Sequence, residues 1–152
     1  DLNAVVDETL KLLNSEIVTR KVELTVERAG SLPAVDGNRT QLQQVLVNLI
    51  MNALEALGET GEGERRIVLT TSSGAGHVSV VVEDSGPGID QEKIGSIFEP
   101  LATWKPGGTG MGLAICNSIV EAHGGRMHAE NRSGGGARVG FSLPFAKGEN
   151  AT

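Results

Sequence analysis

The chain has no tyrosine, one tryptophan, three phenylalanines and one cysteine in 152 residues. With so few aromatics, its core must be built from Leu, Ile, Val and Ala. A single cysteine excludes a disulfide framework or a thiolate metal cluster within the chain. A reducing, cytoplasmic setting fits that count. Cys116 lies in an apolar helical pattern and reads as a small core residue, not a nucleophile. There is no apolar run long enough to cross a membrane and no signal peptide. Positive charge is also in short supply. Thirteen basic residues stand against nineteen acidic ones, a net charge of −6. That argues against nucleic acid and against direct contact with anionic membrane, both of which want a basic face. The sequence opens at Asp1 without a methionine. It is expected to be a piece of a longer protein, with upstream targeting or membrane segments left open.

At this length one domain is expected, long enough for a real core. Leu2, Val5, Val6, Leu10, Leu13 and Ile17 recur at helical spacing. Lys21 to Arg28 alternates and predicts a strand. After a turn-rich link, a second helix is expected to about Leu57, with Thr40 as its N-cap. Arg65–Ser72 and His77–Asp84 predict a hairpin across Ser73–Gly76. A third long helix is expected from Met111 to about His123, with Gly124 as a left-handed C-cap. Arg126–Asn131 and Ala137–Phe145 make a last strand pair. Residues 147–152 are expected to form a flexible tail after a domain spanning 1–146. Between Ser85 and Pro106 the chain reads as irregular, with one helical turn at Gln91–Ile94. This order suggests an α+β fold, a sheet covered on one face by helices.

Three short patterns carry chemistry. Gly107-Gly108-Thr109-Gly110-Met111-Gly112-Leu113 runs from a glycine loop into a helix. Glycines there let backbone approach a ligand. The first amides of the helix lack intrahelical partners and can face an anion. A loop that is merely flexible would read the same way. In the second helix, Asn48 and Asn52 lie one turn apart amid aliphatic residues. A buried amide without a partner costs on the order of 1–3 kcal/mol. Either they tie down a neighbouring loop, or their oxygens, hard and neutral, face a ligand or a hydrated Mg²⁺. Third, Asp84-Ser85-Gly86-Pro87-Gly88-Ile89 ends an apolar strand. A lone motif of this kind more often holds an Asp that caps its own turn. At the bottom of a pocket, the same carboxylate would accept from the exocyclic amine of adenine and disfavour guanine.

Taken in this order, the residues resemble those of sensor histidine kinases. Asn48-Leu49-Ile50-Met51-Asn52-Ala53 is similar to their asparagine box, and Asp84 to Ile89 to the first glycine box. Ile97-Phe98-Glu99-Pro100 resembles the phenylalanine box, and Gly108 to Leu113 the second glycine box. Ile119 to Gly125 and the glycine turn and strand from Gly134 to Pro144 are also similar, so the resemblance covers nearly the whole chain. Glu55-Ala56 resembles the nitrogen- and oxygen-sensing branch. The resemblance implies a Bergerat-type two-layer α/β sandwich, a mixed sheet with about three helices on one face, and ATP and Mg²⁺ as ligands. It implies Asn52 as the metal ligand, with Asn48 assisting at metal or phosphates. Asp84 would take the adenine amine, Gly86 and Gly88 would shape the base pocket, and Ile89 would pack nearby. Gly108, Thr109, Gly110, Met111, Gly112 and Leu113 would form the phosphate loop, and Lys105 would reach phosphate from a lid over 101–110. The implied reaction is γ-phosphoryl transfer to a histidine on a separate dimerisation domain, then to a response regulator.

Two departures matter. The acceptor histidine box is missing from this sequence, so the chain alone is expected to bind ATP without phosphorylating itself. Leu101, Ala102 and Trp104 replace the larger side chains or Thr common in the family's lid. ATP-hydrolysing relatives of the fold, such as DNA gyrase and MutL, carry a Glu four residues before the metal Asn. Here that position is Asn48, and an amide cannot act as a general base for water. His123 is expected to be structural, and His77 and His128 lack metal-ligand spacing. Other readings of the same patterns are a serine kinase of the anti-sigma-factor type and a nucleotide-switched binding module.

Overall fold

A computed structural model describes residues 2–30, 32, 33, 35, 37–58, 65–74, 76–86, 112–131 and 135–145. The order is α1 (Leu2–Thr19), β1 (Glu23–Glu27), α2 (Arg39–Gly58), β2 (Arg66–Gly74), β3 (His77–Asp84), α3 (Gly112–Ala122), β4 (Arg126–Asn131) and β5 (Ala137–Pro144). The strands form one mixed sheet in the order β1-β2-β3-β5-β4. β1 and β2 pair parallel, which requires a crossover, and α2 supplies it. All other neighbours are antiparallel. The architecture is the α+β sandwich expected from the sequence, with three helices covering one face.

Period-two burial explains why the helices choose that face. Ile67, Leu69 and Thr71 of β2, Val78, Val80 and Val82 of β3, and Phe141 and Leu143 of β5 are all buried. They meet Val45, Leu46, Leu49, Ile50, Ala53, Leu54 and Leu57 of α2. Ile50 and Leu54 are also fully buried, so the apolar stripe on α2 is wide. Each such side chain contributes roughly 1.5–3 kcal/mol of transfer free energy. The opposite face carries alternating residues such as Glu83, Arg138, Glu130 and His128.

Most boundaries follow the sequence signals, and one cap does not. The structure begins α2 at Arg39 and caps it with Asn38, not Thr40. Asn38 Oδ1 accepts from the amide of Gln41 at 3.0 Å. Leu42 N donates to Asn38 O at 3.0 Å, so the helical ladder already starts there. Thr40 is inside the first turn. At the end of α3 the expected C-cap is present. Gly124 has φ +79°. Its amide bonds Glu121 O while that of Gly125 bonds Val120 O. Those two bonds are the Schellman pair.

Candidate nucleotide site

Asp84 ends β3 on the inner face, in line with Val82 and opposite Ile67. β2 and β3 stay zipped to that point, because Ser85 N donates to Arg66 O and Arg66 N donates to Ser85 Oγ. Asp84 is only 5% exposed. Its Oδ1 accepts from Gly86 N at 2.8 Å and lies 3.4 Å from Ala137 N. Asp84 therefore does cap its own turn. An ionised carboxylate has about four acceptor positions, so this does not preclude another donor. The backbone is fixed as well. Gly136 has φ +92°, and a Cβ there would lie 1.9 Å from Asp84 O. Only glycine lets the start of β5 pass this close. The sequence pointed to a glycine turn here but not to the strand end it braces.

Asn48 and Asn52 lie on α2, which packs across β3. Both are partly buried, and the Nδ2 of Asn52 is shielded from solvent. The Asn48 side chain hydrogen-bonds the Cys116 thiol of α3. Burial pushes that thiol up to about 11, outweighing the hydrogen bond from Asn48, which lowers it. Cys116 is thus a neutral core thiol at physiological pH, as its position in the pattern implied.

Two contacts fix how α2 and α3 lie together. Asn38 N bonds His123 Nε2, and Cys116 Sγ bonds Val45 O. Val45 is seven residues on from Asn38, and Cys116 is seven residues back from His123. The helices therefore run antiparallel and in step. Continuing four residues down α3 reaches Gly112, level with Leu49 on α2. The opening turn of α3 therefore runs alongside Leu49 back to Leu46, level with Asn48, and Asn52 lies three residues beyond its start. Gly112 and Leu113 are its first two residues. Amides of a first turn are without intrahelical acceptors and face anions favourably.

The structure thus sets Asn48 beside the opening of α3 at Gly112 and Leu113, with Asn52 just beyond on α2, while Asp84 ends β3, a strand that α2 packs across, with Gly86 in the turn after it. Gly88, Ile89, Lys105, Gly108, Thr109, Gly110 and Met111, and with them the lid and the helical turn at 91–94, lie outside the described residues. Among the described residues, no three His, Cys, Asp or Glu side chains group as a metal cage. Two amide side chains on one helix instead suit a hard cation that keeps water and ligand phosphate in its shell. Mg²⁺ fits that donor set. Sequence reasoning took His123 as structural but did not find its partner. That partner, the backbone amide of Asn38, is 85 residues away.

Residues 37–147 match the model of the histidine kinase-, DNA gyrase B- and HSP90-like ATPase family. The sensor histidine kinase TmoS of Ectopseudomonas mendocina is 40% identical over 148 residues, which are 96% of this chain and 15% of that protein. The chain therefore spans a small part of that relative. The nucleotide-free catalytic domain of histidine kinase ThkA superposes with a TM-score of 0.85 at 36% identity, covering 96% of this chain and 93% of that one. A ThkA complex with the response regulator protein TrrA gives 0.80 at 34% identity, over 95% of this chain and 40% of that one. Full-length ShkA in complex with AMPPNP gives 0.83 at 27% identity, over 100% of this chain and 32% of that one.

Proposed function

This chain belongs to the histidine kinase-, DNA gyrase B- and HSP90-like ATPase family, and from that premise we propose that it is the catalytic domain of a two-component sensor histidine kinase. It presents the γ-phosphate of Mg-ATP to a histidine on a separate dimerisation domain, from which a response regulator is phosphorylated. The observation that supports this reading best is the buried Asp84 at the end of β3, a strand that α2 packs across, while Asn48 on α2 lies level with the first turn of α3. One wall selects the base and the other receives the triphosphate. The AMPPNP complex of ShkA and the regulator complex of ThkA support a nucleotide and a regulator as its ligands. Glu55-Ala56 favours the nitrogen- and oxygen-sensing branch for the parent protein. We place the domain at residues 1–146 and in the cytoplasm, where ATP is. Among the described residues no helix is long and apolar enough to cross a membrane.

In this reading Asp84 accepts from the adenine amine while Gly86 turns the chain beneath the base. Asn52 holds the metal, with Asn48 beside it. Gly112 and Leu113 continue the phosphate loop of Gly108 to Met111, and Lys105 approaches from the lid. The bound metal would neutralise charge on the phosphates. The residues themselves do little covalent chemistry. They position the γ-phosphoryl group for in-line transfer, and much of such catalysis is positioning and fixed charge. Asn48 cannot deprotonate water, so hydrolysis has no base at that position. The test is to mix this chain with the parent's histidine-bearing hairpin and γ-labelled Mg-ATP. Label should appear on the hairpin histidine and not on this chain alone. Label on a serine of a partner would point to an anti-sigma-type kinase. Binding with no transfer would point to a nucleotide-switched module.

A further inference from the structure

His123 joins two helices that the nucleotide reading needs in step, although it lies at their far end. Its Nδ1 is 2.7 Å from Ile119 O, one turn back on α3, and so must carry a hydrogen. Its Nε2 is 3.0 Å from the backbone amide of Asn38 and so must accept. Only the neutral imidazole protonated at Nδ1 satisfies both. Asn38 in turn caps α2 with its side chain, through Gln41 N. The loop is pressed onto the ring, since a Cβ on Gly37 would come within 2.7 Å of His123 Cδ2. The imidazole is therefore bonded along α3 on one side and to the first residue of the α2 cap on the other.

The hydrophobic attraction between helices is non-directional, so polar ties along the seam are what add a directional register. The other polar ties along this seam, Cys116 Sγ to Val45 O at 3.8 Å and the Asn48 side chain to the same thiol, both involve a weakly bonding sulfur. We propose that His123 is a positioning residue for the triphosphate, fixing the axial register of α2 against α3 and so keeping Asn48 level with the first turn of α3 and Asn52 just beyond it. It touches no nucleotide. At 1.5 Å per residue, Asn52 lies about 21 Å along α2 from Asn38. Asp84 belongs to β3 and is placed by the sheet, so the base end of the site does not depend on this clamp.

This inference rests on the nucleotide reading, and its test separates the two. NMR titrations with adenosine and with Mg-ATP are run on the wild-type chain, His123→Phe and His123→Gln. Phe fills the space but accepts nothing, whereas the Gln oxygen can accept from Asn38. The expected result for His123→Phe is Mg-ATP binding weakened roughly ten-fold or more, because small misplacements of a positioned group are costly, with adenosine within about two-fold of wild type. His123→Gln should recover most of the Mg-ATP affinity. Unchanged Mg-ATP binding by the Phe variant overturns the clamp and leaves the nucleotide reading standing. Equal loss of adenosine and Mg-ATP overturns it too, and makes His123 a folding residue. A wild-type chain that binds neither ligand defeats the nucleotide reading itself. Should the Phe variant not fold, the imidazole nitrogens of wild-type His123 and the Asn38 amide provide the readout. Mg-ATP should shift both and adenosine neither, and identical responses to the two ligands would overturn the clamp.

Discussion

Glu83 and Asp84 are consecutive acids at the end of one strand, and the pleat sends them to opposite faces. Glu83 points to the outer face. It pairs with Arg138 directly across on β5, at 2.5 Å, and Arg138 also bonds Glu130 on β4 at 2.9 Å. Asp84 points inward, under the helices. It is met by backbone amides of its own turn and of β5. The two placements have different chemical uses. A guanidinium neutralises an acid and fixes it to a neighbouring strand. Amides orient a carboxylate and leave its formal charge in place. Burying such a charge is costly without compensation. A ligand that brings donors to the cleft would supply further compensation, and on that ground we propose Asp84 as a binding residue and Glu83 as a structural one.

Experiments can break this contrast, beginning with the bracing of Asp84. Gly136→Ala forces a Cβ onto Asp84 O and strains a left-handed backbone. Overpacking and strain together should cost about 3–4 kcal/mol of stability by chemical denaturation. A loss under 1 kcal/mol would mean that β5 does not brace the strand end.

Asp84→Asn keeps an acceptor for Gly86 N but removes the charge. A hydrogen bond to a charged group is worth about 1.5–3 kcal/mol, so ATP affinity should fall roughly ten- to a hundred-fold while the fold persists. Affinity equal to wild type would remove Asp84 from the site.

Cys116 extends the comparison to a buried acid whose burial outweighs its hydrogen bonds. Its pKa rises from 9.0 to about 11, so the folded chain holds the proton more tightly than the unfolded one. Its share of stability is complete below pH 9 and is lost as pH climbs through about 11. By linkage that loss is of order 2 kcal/mol, visible as a stability slope above pH 9 that Cys116→Ala flattens. The absence of tyrosine removes one competing titration from that window. Identical slopes in the two proteins would show that the thiol is not desolvated.

The smallest effect is expected at Glu83. Arg138 is well exposed, with 42% of its side chain accessible, and exposed ion pairs contribute little. Glu83→Gln should cost about 0.5 kcal/mol and leave ATP affinity unchanged. A large loss of ATP affinity in this variant would erase the contrast between the two faces.

The sheet was legible because local patterns dictate it. His77–Asp84 and Arg126–Asn131 are strands over the residues their alternation indicated. Gly124 caps α3 because few other residues accept its backbone conformation as cheaply. The cap of α2 was misplaced by two residues, since Thr40 and Asn38 are both good caps by type. Asn38 prevails where its main chain also meets His123, a contact no local pattern reveals. Of the site, the chemistry of Asn48, Asn52 and Asp84 could be read from residue type and spacing. The level of Asn48 against the opening of α3 could not, because it comes from the antiparallel register of α2 and α3, set by bonds far apart in sequence.

The proposed function turns on an adenine-specific triphosphate site between Asp84 and the α2–α3 seam. Its most direct test is calorimetric titration of this chain with Mg-ATP and Mg-GTP, repeated on Asp84→Asn and Asn52→Ala. Wild type should bind Mg-ATP and discriminate against Mg-GTP, Asp84→Asn should narrow the gap, and Asn52→Ala should weaken Mg-ATP. Tight Mg-ATP binding that survives both substitutions, or equal affinity for the two nucleotides in the wild-type chain, would contradict it.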